Sequence, residues 1–510
     1  MFSKIISAFV RGLEPEFIQV EADVSDGMPM FEMVGFLSSE VKEARERVRT
    51  AIKNSAVKLV PKHITVNLAP AHIRKYGTCF DLAIAIAVLS SVGILNVNKF
   101  ENVLVIGELS LDGKINSIRG IIPILIEAKK QGIKSCIIPQ NNINEASLVE
   151  GLTIYGVKKL QQIIEADCKN GKLNAFTVKK VFNFGETTED YPDFSQIYGQ
   201  EMAKRAAQIA AAGFHNLALI GPPGAGKTML AKCIPGILPK LSDKECMEVM
   251  KIYSVAGLLK EEKLNFVKRP FRAPHHTISP TALSGGGAFL HPGEITLAHK
   301  GVLFLDELPE FSRKAIEILR QPLEEGKINI TRLYGNCTYP ADFILVTAMN
   351  PCKCGYFPDY NKCTCSENEV KKYLGKISRP LLDRIDLCVE MQTVSFNDLQ
   401  KEEKGLTTLE IRQTIEKARN IQKDRYKKLG IEFNSKLSNE QIEKYCCLNI
   451  EEKNFMQKIY TKYNLTARNY YRILKVARTI ADLSNEEKIT KTHLSEAVCY
   501  RTIDQKFWVR

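Results

Sequence analysis

At 510 residues, with 45% hydrophobic and 25% charged residues, the chain has the composition of a soluble globular protein. It is too long for one hydrophobic core, so two to four domains of about 100–200 residues are expected. Its 14 cysteines are too sparse for a disulfide scaffold, and its longest apolar run, Leu82 to Leu95, falls short of the roughly 20 residues of a membrane span. The formal charge of +13 points to an acidic partner, and residues 401–510 carry 23 Lys and Arg against 15 Asp and Glu, a basic C-terminal module. Arg11 and Glu14 break the short apolar N-terminus, which excludes a secretory signal, so a cytoplasmic location is expected.

In chain order, residues 1–170 alternate strand-like runs (Phe17–Ala22, Ile64–Leu68, Val103–Ile106, Ser135–Ile138) with helix-like ones at 39–54, 81–91 and 121–131, the pattern of a compact α/β or α+β domain. Residues 171–195, with Gly185 to Pro192, have the polar, turn-forming composition of a linker. From 196 to 395 strands and helices alternate, which predicts an α/β domain with a parallel sheet covered on both faces. Residues 396–510 show only helical patterns, near 407–428, 438–446, 450–463, 467–483 and 491–500.

The most specific signal lies at the start of the third block. Asn216–Ile220 reads as a buried strand, and the eight residues Gly221, Pro222, Pro223, Gly224, Ala225, Gly226, Lys227 and Thr228 fit G-x-x-x-x-G-K-[ST] before a helix. That strand, loop and helix context marks a phosphate-binding loop, in which backbone N–H groups converge on phosphates. Lys227 is placed to meet the β- and γ-phosphates of ATP and Thr228 to hold Mg²⁺. Val302–Leu305 then leads into Asp306, a second Mg²⁺ ligand, and Glu307, which can polarise the attacking water. A third apolar strand, Phe343–Ala348, ends at Asn350, at the sheet edge where such folds bind ligands, and is assigned to orienting that water. Arg384, between Asp383 and Asp386, is either half of a salt bridge within the chain or a finger for a neighbouring subunit's ATP.

Taken together, Ile197 to Gln200, the phosphate loop, Phe271 to His276, LFLDEL, TAMNPC, LLDRIDL and Thr466 to Arg468 resemble the magnesium-chelatase-type branch of the AAA+ ATPases. Within it the sequence is similar to the ComM/YifB family over nearly its whole length. The resemblance implies a P-loop AAA+ core with a C-terminal helical lid, and a homo-oligomeric ring, a hexamer, with ATP between subunits. It implies that Arg384 is the trans-acting finger, that Arg468 is the second sensor reaching the nucleotide from the lid, and that Tyr198, Gly199 and Gln200 line the adenine. Residues 281–300 and 327–342 resemble the two pore-facing insertions of that branch, with Arg332 near a hairpin tip suited to DNA phosphates.

Cys352, Cys354, Cys363 and Cys365 form C-x-C…C-x-C, four soft ligands suited to structural Zn²⁺, the alternative being free thiols. The N-terminal block resembles the Lon protease catalytic domain, in the stretches Lys75 to Asp81 and Gly107 to Gly120. Proteolysis of that kind needs a serine nucleophile and a lysine base. Cys79 and Ile122 stand at those positions, so a non-proteolytic scaffold is expected. The expected function is an ATP-dependent DNA motor acting on single-stranded or branched DNA, as a branch-migration helicase in recombination and natural transformation. The alternative is a chelatase subunit driving Mg²⁺ into a tetrapyrrole.

Overall fold

The structure is a computed structural model that describes residues 2–59, 61–168, 175–177, 191–259, 268–287, 290–332, 335–394, 396 and 405–508. Its N-terminal region is built on an eight-stranded mixed sheet, in the order Ala175–Thr177, Thr153–Val157, Ser135–Pro139, Val103–Val105, Phe2–Arg11, Glu14–Ser25, His63–Ala69 and Met30–Val34. Phe2–Arg11, which carries no strand expectation from the sequence, is a central strand joined by a tight turn at Gly12 to Glu14–Ser25, with Arg11 opposite Glu14. The apolar run that is too short for a membrane is the helix Asp81–Ser91, buried on every side. Asp81 opens that helix from inside the core. Burial raises its carboxyl to about 6 in spite of the Arg47 guanidinium 2.8 Å away. The region read as a linker lies mostly outside the described residues; of its described parts, Ala175–Thr177 adds an antiparallel edge strand to this sheet and Phe194 is buried in the core of the second domain.

Five parallel strands form the second sheet, in the order Phe271–Arg272, Val302–Leu305, Ile344–Met349, Leu217–Ile220 and Leu387–Glu390. Every residue of the Val302, Ile344 and Leu217 strands is buried, as expected when helices cover both faces. This order places the strand that feeds the phosphate loop between those that lead into Asn350 and Met391. Three carboxyl ends therefore converge on one edge.

The C-terminal helices Thr408–Tyr426, Asn439–Tyr445, Ile450–Lys462, Ala467–Leu483 and Lys491–Trp508 share one continuous core with the parallel sheet, from Phe194 to Tyr500. Capping boxes start two of them, Thr407 with Glu410 and Ser438 with Gln441. The seam between sheet and helices is polar at one point. The Asp386 carboxylate accepts from the Asn216 amide at 3.2 Å, faces His215 Nδ1 at 3.3 Å and pairs with Arg472 at 3.0 Å. The N-terminal sheet domain docks through its Ile121–Lys130 helix onto Asp243–Ala256. There Gly120 donates to the Ser254 carbonyl at 3.1 Å, and Met250 enters the N-terminal core.

No helix among the described residues is long and apolar enough to cross a membrane. Burial alone would raise the Asp386 carboxyl, but Arg472 and His215 overcome it and hold the group well below the ordinary aspartate range. A group depressed in this way contributes stability that is fully present above the unfolded pKa and is lost as pH falls through that range. Asp386→Ala is expected to cost about 3–5 kcal/mol, the usual result of breaking a buried pair and stranding its partner. Calorimetry would show a lower unfolding midpoint at neutral pH, and a difference from the parent protein that shrinks in acid.

Candidate functional site

Gly221 follows the Leu217–Ile220 strand directly, and an added Cβ there would fall 2.4 Å from the Met391 carbonyl oxygen, so only glycine lets the loop leave between two strands. Gly224 and Gly226 take φ of +78° and +85°, the left-handed conformation that aims successive backbone N–H groups inward. Gly226 then caps the helix Lys227–Ile237. The buried Lys227 ammonium donates to the Gly221 carbonyl at 2.7 Å, the Pro222 carbonyl at 2.8 Å and Asn350 Oδ1 at 3.0 Å. Burial lowers its pKa, while Asp306 and Glu307 act against that shift. Thr228 Oγ1 donates to Asp306 Oδ2 at 2.7 Å, so a hydroxyl and a carboxylate sit side by side in the arrangement that suits Mg²⁺.

Glu307 adopts φ +51° at the strand end, and His276 Nδ1 lies 3.4 Å from its carboxylate, with His275 packed on His276 at 4.0 Å between ring centroids. His276 is a contact that sequence reasoning left without a role, although the Phe271–His276 motif contains it. Gln200 Nε2 donates to the Ala225 carbonyl at 3.3 Å and also to the Gln392 carbonyl, so it joins the segment before the helix Glu201–Gly213 to the phosphate loop. Tyr198 is exposed beside it.

Arg384 and Arg468 lie elsewhere. Asn216, at the amino end of the Leu217–Ile220 strand, donates to the Arg384 carbonyl at 2.8 Å, which fixes Arg384 at the sheet edge opposite Gly221. Four strand residues at about 3.3 Å each separate the two edges. Both arginines converge on Glu324. Arg384 Nη2 pairs with one of its oxygens and Arg468 Nη2 with the other at 3.0 Å. The Arg384 hydrogen bond holds the Glu324 carboxyl below its ordinary value, while Arg384 Nε has no acceptor among the described residues. They line a cleft of about 480 Å³ with Arg472, Lys475 and Lys436. The ion pair foreseen as one reading of Arg384 is thus present. Arg468, which the resemblance makes a sensor reaching the nucleotide from the lid, lies with Arg384 at the far edge of its own chain, because the helix Ala467–Leu483 packs across the amino ends of the strands through Arg472 and Asp386.

The four cysteines come together, with their sulfur atoms all within 4.8 Å of one another, a donor set compatible with Zn²⁺. Residues 327–342 form the strands Lys327–Arg332 and Gly335–Pro340, paired with Arg332 opposite Gly335. Tyr334 and the Arg332 side chain lie outside the described residues. Residues 281–300 contain the end of a short helix, Pro280–Ser284, then the pair Gly285–Gly286 and His291–Pro292, then Glu294–Leu297. In the N-terminal domain, burial and the nearby Asp81 push the Cys79 thiol up, and Ile122 is fully buried.

Comparison with known proteins bears on this arrangement. The family profile described as magnesium chelatase, subunit ChlI, matches residues 193–399, and its C-terminal profile matches residues 405–501. A third, for subunit ChlI of Mg-chelatase, matches residues 20–142. Competence protein ComM of Haemophilus influenzae (strain ATCC 51907 / DSM 11121 / KW20 / Rd) is 43% identical over 98% of this chain and 97% of its own length. YifB of Escherichia coli (strain K12) is 41% identical over 97% of this chain and 96% of its own length. A shorter similarity, 27% identity over 30% of this chain and 21% of the relative, links it to the Lon protease of Buchnera aphidicola subsp. Schizaphis graminum (strain Sg). With the phosphate loop, the paired acidic residues and the parallel sheet in place, the chain belongs to the ComM/YifB family, whose core is an AAA+ domain of the magnesium-chelatase type.

Proposed function

We propose that the protein is an ATP-driven, ring-forming motor that moves along DNA and remodels branched recombination intermediates, with each ATP hydrolysed between two copies of the chain. The observation that carries this reading is the division of the reaction centre. Lys227, Thr228, Asp306, Glu307 and Asn350 occupy one edge of the sheet, and Arg384 and Arg468 occupy the other. A single chain therefore presents a phosphate cradle on one side and a cationic cleft on the opposite side. Head-to-tail packing joins the two, and repetition of that contact closes a ring.

In the completed site Lys227 would exchange its carbonyl acceptors for the β- and γ-phosphate oxygens. Thr228 and Asp306 would hold Mg²⁺, which when bound supplies charge neutralisation between those phosphates. Glu307, steadied by His276, takes a proton from the water that Asn350 orients as it attacks the γ-phosphorus, and the bond to the β–γ bridging oxygen breaks. The neighbour's Arg384 and Arg468, leaving Glu324, stabilise the charge on the transferred group. After hydrolysis they can return to Glu324. That exchange gives the interface two states, and the paired strands Lys327–Arg332 and Gly335–Pro340 follow directly from the helix that bears Glu324, which links the exchange to the element assigned to DNA.

A net charge of +13 and the similarity to a Haemophilus protein named for competence support DNA as the track. The N-terminal sheet domain, Lon-like in this reading, serves as a non-proteolytic scaffold. Metal insertion into a tetrapyrrole is the second reading, favoured by the names of the matching profiles. Turnover that required a tetrapyrrole and ignored DNA would select it.

Glu307→Gln is expected to keep ATP binding while lowering kcat by about 100- to 10,000-fold, the usual weight of a general base, as read by a fluorescent-nucleotide titration beside a phosphate-release assay. Arg384→Ala and Lys227→Ala proteins are each expected to be inactive, yet their mixture should recover turnover, because some interfaces then pair an intact phosphate loop with an intact finger. No recovery on mixing would contradict a shared site. Forked or single-stranded DNA is expected to raise turnover in low salt, and absence of both binding and stimulation would exclude the DNA track.

A further inference from the structure

We infer that Cys352, Cys354, Cys363 and Cys365 bind one structural Zn²⁺ per chain, and that this metal braces the phosphate loop, so that nucleotide affinity depends on zinc occupancy. The inference rests on the reading of residues 221–228 as the nucleotide site. The sulfur atoms already have the spacing that the metal requires. Cys352 Sγ lies 3.3 Å from Cys354 Sγ and 3.8 Å from Cys363 Sγ, and Cys354 and Cys363 are 3.5 Å apart. Tetrahedral Zn²⁺ with bonds of about 2.3 Å sets its sulfurs about 3.8 Å apart. Four thiolates fill the coordination sphere, so no position is left for water or substrate and the site is structural. Binding converts four thiols and Zn²⁺ into a tetrathiolate of net charge −2 with release of four protons, so no oxidant or reductant is consumed. Lys353 and Lys362 on the same loop are the cations nearest to it in sequence.

What makes the site more than a loop clip is what it presses on. The cysteine loop spans the gap between the strand Ile344–Met349 and the helix Glu367–Leu374 and contains no helix or strand of its own, so its shape must come from cross-links rather than from a backbone ladder. Two residues before Cys352, Asn350 holds the Lys227 ammonium at 3.0 Å. One residue after Cys354, Gly355 takes φ +89° and packs so closely on the phosphate loop that an added Cβ would fall 2.5 Å from Pro223 Cδ. The opposite side of the loop is anchored as well. Phe357 is buried and faces Phe507 of the last helix at 6.4 Å between ring centroids, and Trp508 Nε1 donates to the Leu374 carbonyl at 3.2 Å. The loop is thus wedged between the final helix and the phosphate loop. With the metal gone, four uncoordinated thiols cannot hold that wedge, and both Asn350 and the support under Pro223 lose their fixed positions.

The test combines a metal count with nucleotide binding. Protein produced with zinc supplied is analysed by atomic emission, then titrated with a fluorescent ATP analogue in excess Mg²⁺. The same titration follows stripping with 1,10-phenanthroline and removal of the chelator, and again after Zn²⁺ is added back. The expected result is one zinc per chain, affinity weakened about 10- to 100-fold on stripping, the range for outer-shell support of a site, and recovery with zinc. Cys354→Ser/Cys363→Ser should lack the metal and bind like the stripped protein. Gly355→Val should keep its zinc yet bind nucleotide weakly, a result that loss of folding would not give. Absence of zinc, or equal affinity with and without it, overturns the inference. Zinc-loaded parent protein that binds no nucleotide at all would instead show that the phosphate-loop reading has failed and the bracing role with it, while the metal count stands by itself.

Discussion

Asn216, which holds the Arg384 carbonyl, and Gly221, which begins the phosphate loop, stand at the two ends of one buried strand of four residues. That strand is covalent and packed on both sides, so the roughly 13 Å it spans cannot close within a chain. Most of the functional architecture depends on this fixed separation. It sets Lys227 and Asn350 at one edge and Arg384 and Arg468 at the other, the separation on which the proposed sharing of one site between copies rests. Glu324 resolves the electrostatic consequence. Two guanidiniums facing a cleft already lined by Arg472 and Lys475 repel one another, and one carboxylate shared between them offsets that repulsion; in the proposed motor a neighbour's phosphate takes its place.

The phosphate loop was legible in the sequence because everything that defines it is local. Three glycines, one lysine and one threonine within eight residues dictate a backbone path and place a helix end, and the apolar runs before Gly221, Asp306 and Asn350 announce buried parallel strands. The helices at 39–54 and 81–91 were legible for the same reason, since their patterns coincide with Ser39–Asn54 and Asp81–Ser91. Glu324 was not legible, because its partners lie 60 and 144 residues away and Glu324-Glu325 at a helix end reads as ordinary solvated surface. His276 was visible as part of a motif, but only the fold places it against Glu307.

Phe2–Arg11 shows a different limit. A strand in the middle of a sheet is packed on both faces near its end, and consecutive buried Ser7, Ala8 and Phe9 erase the alternation that identifies a half-buried strand. Ala175–Thr177 is too short for any periodicity. The position of Arg468 illustrates the third limit, which is geometric. Its place within Thr466 to Arg468 marks it as a nucleotide sensor by resemblance only, and where it lies depends on how the Ala467–Leu483 helix sits on the sheet, which the Asp386–Arg472 pair helps to fix.

The account makes its most direct commitment at the boundary between copies. Electron microscopy of the full chain with Mg²⁺, a slowly hydrolysed ATP analogue and forked DNA would locate the γ-phosphate relative to each arginine. The account predicts a closed ring in which Arg384 of one copy has left Glu324 and lies within hydrogen-bond distance, about 3 Å, of the γ-phosphate held by Lys227 of the next. Nucleotide bound to a chain that remains monomeric, or a ring in which Arg384 stays on its own Glu324 beside an occupied neighbouring site, would contradict it.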